Sequence, residues 1–302
     1  MSLAELAPSI ETSRPQEQKS FLEKADNLVE VLRRDQSLFE LKRSGKSTKE
    51  AIETTSLNLS ESEDQGFSES EKNLFRVIGH LGSYITSQRR VDQLGDKRDE
   101  GYRLNDREHA EFQQLRNKDL IPFNHAIKEL IDTDSGLTKN ELDASLARLY
   151  MRLFYRDDPL VMRDEARGVQ DHSLAKAISS EALTSISVSS NGMRHEVAAE
   201  SMLAAGGIDY DYNVNTEEDA TGADMFVYID GKWEYIDIKA SEMSAKNALA
   251  KRRSSHAVWT GLHQSNFTGA KGNQVNGLRI SFDEALKHSD AFVRRIRAVA
   301  HR

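Results

Sequence analysis

The chain has 302 residues, 38% of them apolar and 30% charged, against about 45–50% and about 25% in an average globular domain, so its cores are confined to part of its length. It contains no cysteine, which excludes a disulfide scaffold, a thiolate zinc site and a cysteine nucleophile. Net charge is −8, which argues against a broad basic face for nucleic acid. That acidity is N-terminal, with 27 Lys and Arg against 34 Asp and Glu in residues 1–190 and 14 against 15 in residues 191–302. No apolar run approaches the ~18 residues of a membrane span, and residues 1–20 lack the basic-then-apolar order of a secretory signal. The expectation is a cytoplasmic protein without a membrane, with non-Sec delivery as an effector left open.

The four prolines, Pro8, Pro15, Pro122 and Pro159, all precede residue 160, and this part of the chain predicts helix after helix. A first helix is expected from about Gln16 to Arg43, where Phe21, Ala25, Leu28 and Leu32 recur at helical spacing before Gly45. Ser47 with Glu50 forms a capping-box pair for a short second helix, and Ser68 with Glu71 caps the helix that carries Leu74, Val77, Ile78, Leu81 and Ile85. Further helices are expected over Asp106–Lys118, Pro122–Ile131 and Thr138–Tyr155, with Pro122 in a first turn and a Thr138/Glu141 box. The acidic stretch Asp132–Glu141 is no calcium loop, because its glycine arrives fifth and its last acid tenth.

From about Ser185 the texture changes to β-branched and aromatic runs, and a second domain is expected there: 1–184 acidic and helical, 185–302 α/β. Asn191 would cap a helix over Gly192–Ala205, stopped by Gly206 and Gly207. Strands are expected at Ile208–Asn213, Asp224–Ile229 and Lys232–Ala240, then a helix from about Ser244 to Arg253. After these come a strand at His256–Gly261, a brief strand at Leu278–Ile280, and a final helix capped by Ser281 and Glu284.

The Asp230-Gly231 turn sets a register in which paired residue numbers sum to 461, so Asp224 would face Asp237. Phe226, Tyr235, Tyr228, Trp233 and Lys239 would share that surface, with Val227, Ile229, Ile236 and Ile238 on the other. Two carboxylates about 5 Å apart repel by about 3 kcal/mol at an effective dielectric near 20. A solvated edge, a shared proton or Lys239 could offset this. Two aspartates and a lysine are equally what a hard divalent cation and a hydrolytic water require. Glu196 or His195, in the string Arg194-His195-Glu196 on the preceding helix, could complete the ligand shell.

Gly192-Met-Arg-His-Glu196, Gly222-Ala-Asp224 and Ile236-Asp-Ile-Lys239 together resemble the PD-(D/E)xK nuclease superfamily over roughly residues 185–302. The resemblance implies a restriction-endonuclease-like core, a mixed central sheet flanked by helices in the order αβββαβ, here preceded by an all-α region. It implies that Asp224 and Asp237 bind Mg²⁺ or Mn²⁺, that Glu196 is the first-helix acid and that Lys239 is the lysine of the motif. A narrower similarity, to the endonuclease domains of segmented negative-strand RNA virus polymerases, implies His195 as a ligand and favours Mn²⁺. The chain departs from the usual pattern at Ala223, where the superfamily often has proline.

Lys246, Lys251, Arg252 and Arg253 could hold phosphates of a DNA or RNA substrate, as could Lys271, Arg279 and Gln264. His256 and Trp259 are expected to be structural. The overall expectation is a metal-dependent endonuclease whose residues 1–184 bind a protein partner, deliver the nuclease or cover its cleft. The alternatives are a secreted effector or toxin using this domain, and a non-catalytic nucleic-acid or protein-binding module.

Overall fold

The structure, a computed structural model, describes residues 21–99, 102–134, 136–167, 172–211, 223–250, 256–268 and 276–301. It is an α/β protein, mostly helical, with a small four-stranded mixed sheet. The helices of the first part are α1 (Phe21–Arg34), α2 (Gln36–Arg43), α3 (Thr48–Glu61), α4 (Glu69–Asp99), α5 (Asp106–Leu115), α6 (Ile121–Thr133), α7 (Lys139–Leu153) and α8 (Pro159–Ala166). The expected first helix is split, because the Asp35 carboxylate accepts the Ser37 N–H and restarts the chain as α2. The Ser47/Glu50 and Thr138/Glu141 boxes are both closed, and so is an unanticipated one between Asn105 and Glu108.

Pro122 does not open a separate helix. It lacks the N–H that would bond the fourth carbonyl back, and the chain widens into a π turn at Arg116–Leu120, where Ile121 N–H reaches Arg116 O, so α5 and α6 run on without a break.

The largest difference lies in α9, His172–Ala205, a single helix of 34 residues. The expected start at Asn191 is internal to it. Ser189 and Ser190, which could cap a helix there, donate instead to Asn124 Oδ1 and Asp143 Oδ1, both at 2.5 Å. The same helix buries Ile178, Ala182, Ile186, Met193 and Val197 in the core of the helical part, then Ala198, Ala199, Met202 and Leu203 in the core beneath the sheet. Burial on both cores outweighs the ~1 kcal/mol cost of Gly192 in a helix interior. The expected boundary at 184/185 falls inside this helix. It ends in a Schellman motif, with Gly207 at φ +65 and Ile208 N–H donating to Leu203 O at 3.0 Å.

The sheet comprises β1 (Tyr210–Asp211), β2 (Met225–Ile229), β3 (Lys232–Lys239) and β4 (Ala257–Trp259), in that order. The first three are antiparallel neighbours and β4 is parallel to β3. Asp230 (φ 51) and Gly231 (φ 86) form the two-residue turn, and five pairs from Met225–Ile236 to Ile229–Lys232 keep the expected register. Val227, Ile229, Ile236 and Ile238 are buried against α9 and the last helix, α11 (Phe282–Ala300). On the opposite surface α10 (Glu242–Ala250) packs Ala245, Ala248 and Leu249 on Ala257 and Trp259. No strand forms at Leu278–Ile280; Gly277 makes a single bridge to Thr138 and Leu278 is buried in the helical core. No described helix is long and apolar enough to cross a membrane.

Gly206 allows α9 to approach α11. A Cβ there would stand 2.2 Å from Ser289 Oγ, a buried hydroxyl without a hydrogen-bond partner among the described residues. Gly206→Ala should therefore cost about 1–3 kcal/mol in urea unfolding, Ser289→Ala little or nothing, and the double variant less than Gly206→Ala alone.

Candidate functional site

Asp224 stands one residue before β2. Its N–H donates to Ile236 O at 2.9 Å, and its Oδ2 accepts the Ile238 N–H at 2.5 Å. The ladder therefore stops one pair short of a regular Asp224–Asp237 pairing. The aspartate caps a β3 donor that has no further residue of β2 to bond. Asp237 is buried, its N–H donates to His256 O at 3.0 Å, and its Oδ1 accepts from Lys239 Nζ. The expected shared surface is thus kept, with an ion pair inside it.

The cluster is electrostatically strained. Burial raises Asp224 well above the usual carboxylate range, and the negative charges of Glu196 and Asp237 push the same way, against Lys239 and the Ile238 N–H. Lys239 is also desolvated, which alone would lower it. Asp224, Asp237 and Glu196 outweigh that and raise it above the ordinary lysine value. One α9 acid, two sheet acids and one lysine therefore act on each other as a unit. Glu196 also acts on Lys128, which pairs with Glu200 at 2.5 Å.

A cleft of about 940 Å³ opens onto this cluster. Glu196, Asp224 and Lys239 line it, together with Arg194, Ser244, Gln264 and Asn276. The helical part supplies another wall through Arg116, Asn124, Lys139, Asn140 and the α9 segment Leu183–Gly192. Asp237 sits behind Lys239 and is not part of the lining.

His195 is placed elsewhere. It is 4% exposed and outside the cleft lining, its Nδ1 is 2.8 Å from Thr260 Oγ1, and its ring meets the edge of Phe267. Burial, together with the Arg194 charge, pulls it down to about 4, so it is neutral at physiological pH. The adjacent positions 195 and 196 are separated by about 100° around a helix, and it is Glu196 that reaches the cleft.

Of the expected phosphate-holding residues, Lys246 is exposed and paired with Glu242 at 2.7 Å, outside the cleft lining. Arg279 donates to Asp132 O at 3.3 Å. Lys251, Arg252, Arg253, Lys271 and Gly222 lie outside the described residues. Trp259 packs on α10 and lies under Arg295, and His256 rests against Tyr235. Arg194, Asn276, Asn140, Lys139 and Arg116 were not anticipated in the cleft. Only Arg194 had a signal, its place in the string Arg194-His195-Glu196.

The donor chemistry of Glu196, Asp224 and Asp237 suits a hard divalent cation. Asp224 is turned to Ile238 and Asp237 to Lys239, however, and among the described residues no group of three or more His, Asp or Glu side chains is arranged to hold a metal ion. Comparison of the chain with family models, curated proteins and solved structures found no match.

Two pH effects of opposite sign follow. The unfolded chain protonates His195 near 6.5 and the folded chain near 4, so between these values the unfolded state holds more protons and stability falls as pH drops. His195→Asn should reduce that acid-side loss of Tm. For Asp224 the folded value is the higher, so stability falls as pH rises above about 4. Asp224→Asn should melt above the parent at neutral pH, with a gap that closes toward pH 4.

Proposed function

We propose that the chain is a divalent-metal-dependent nuclease of PD-(D/E)xK type, hydrolysing phosphodiester bonds of DNA or RNA. The observation that carries this reading is that Glu196, Asp224 and Lys239 line one open cleft, with the buried Asp237 bonded to Lys239, so that helix and hairpin contribute to a single electrostatic cluster. The order α9, β1, β2, β3, α10, β4, with β4 parallel to β3, is also the order that the resemblance implies.

In this reading Glu196, Asp224 and Asp237 would hold Mg²⁺ or Mn²⁺. The bound ion supplies Lewis acidity at a phosphoryl oxygen and a water of lowered pKa. Lys239, which these acids raise, would orient the attacking water and face the charge that develops on the phosphate. His195 takes no part, so the manganese preference expected from an imidazole ligand drops out.

One observation favours a non-catalytic module with the same fold: the Lys239–Asp237 pair already gives the cluster an internal counter-ion. The two readings part on turnover. Labelled single- and double-stranded DNA and RNA, incubated with Mg²⁺ or Mn²⁺, should be cut by the parent. Lys239→Gln, Asp224→Asn and Asp237→Asn should lower the rate by about 100-fold or more, with folding checked by circular dichroism. Mn²⁺ should also raise the Tm of the parent and not that of Asp237→Asn. A parent inert on every substrate, or variants of full activity, defeats the nuclease reading.

A further inference from the structure

Arg194 is an incompletely satisfied cation in the wall of the cleft. It is 5% exposed, Nη1 donates to Asn276 Oδ1 at 3.2 Å, and Cζ lies 4.3 Å from the centroid of Phe267. Its Nε is buried and has no hydrogen-bond partner among the described residues. The carboxylate whose charge it feels is Asp143, which is already bonded to Lys139 and Ser190. A guanidinium carries five N–H donors, and a buried cation with donors unmet is costly unless an anion completes its shell.

The groups around it are fixed. The Asn276 amide accepts from Arg194 and from Gln264 Nε2 at 3.2 Å, and donates to Asn140 Oδ1 at 3.0 Å. Its backbone carbonyl accepts the Lys139 N–H at 3.0 Å, which ties this corner to the N-terminus of α7. The wall supplied by residues 116–192 brings Arg116 and Lys139 and, among the lining residues, no acid.

We propose that Arg194, held by Asn276 and backed by the α7 wall, binds a phosphate of a polynucleotide strand, the one flanking the phosphate at the Glu196–Asp224–Lys239 cluster. This deepens the nuclease reading and rests on it. The planar fork suits two oxygens of a phosphate, and such a contact positions the strand without reading its bases. The α7 wall is then part of the substrate site and not a separable delivery module.

The test is fluorescence anisotropy of labelled single-stranded and duplex DNA and RNA oligonucleotides with the full chain, in Ca²⁺ and over a range of salt. Arg194→Gln should weaken binding about tenfold or more for every base composition, with the slope against log salt shallower by about 1. Asn276→Asp is the second variant. It tolerates φ +56, gives up the donor to Asn140, leaves the arginine in place and neutralises it, and should weaken binding equally. If Arg194→Gln does not fold, Asn276→Asp decides. A purely structural arginine predicts that Asn276→Asp raises Tm and leaves Kd unchanged, which overturns the proposal, as does a parent that binds no nucleic acid. Cleavage by a parent whose Kd and KM survive in both variants overturns this subsite and leaves the nuclease standing. Binding lost in the variants, with a parent that never cleaves, defeats the nuclease and keeps the phosphate site.

Discussion

The structure depends on one helix being buried twice. At about 1.5 Å per residue, the 34 residues of α9 span about 51 Å. Its residues from Ile178 to Val197 are buried in one core with Phe123, Leu146 and Tyr150, and those from Ala198 to Leu203 in another with Met225, Ile236 and Phe292. An amphipathic helix usually serves one core; this one turns its apolar face from one to the other between Val197 and Ala198. Arg194 and Glu196 stand just before that handover, where the helix borders the cleft. Both cores fix their position, so the side chains presented there are set by two independent packings, and rigid support of this kind is what a charged site requires.

Charge decides what the cluster can do. Asp224, Asp237 and Glu196 outnumber Lys239, and the burial that strengthens each interaction also makes the surplus negative charge unfavourable. Three responses are open to such a group: hold a proton, hold the lysine closely, or take in a cation. Burial and the neighbouring acids push Asp224 toward the first, and the Lys239–Asp237 pair is the second. The third is the proposed one, and it competes with both, so a cation and a proton would exclude each other at Asp224 and cation binding would release the proton.

What was legible in the sequence follows the range of the physics involved. The hairpin register could be read because Asp230-Gly231 allows a tight turn and the alternation of Val227, Ile229, Ile236 and Ile238 penalises a slip by one. The capping boxes were legible because each is closed within four residues. The start of α9 was not, since Asn191 and Gly192 look like a boundary locally and only Asn124 and Asp143, far off in sequence, show where Ser189 and Ser190 bond. His195 and Glu196 are adjacent in the chain, and which of them meets the cleft is a matter of helical phase against Thr260 and Phe267. The role of Asn276 left no trace, because it rests on contacts with Asn140 and Arg194 across more than eighty residues of chain.

Net charge misleads in the same way. Residues 1–190 carry the excess acidity of the chain, which taken alone makes the helical part a poor neighbour for a polyanion. Yet the wall that part turns to the cleft is Arg116, Asn124, Lys139 and Asn140, and its acids are engaged elsewhere: Asp143 with Lys139, Glu111 with Arg90, Asp158 with Arg89. The field that a phosphate meets is set by the groups nearest it, since charges beyond about 8–10 Å are screened at physiological salt. An acidic domain can therefore form half of an anion-binding cleft, provided its carboxylates are paired away from the lining, as Asp143, Glu111 and Asp158 are.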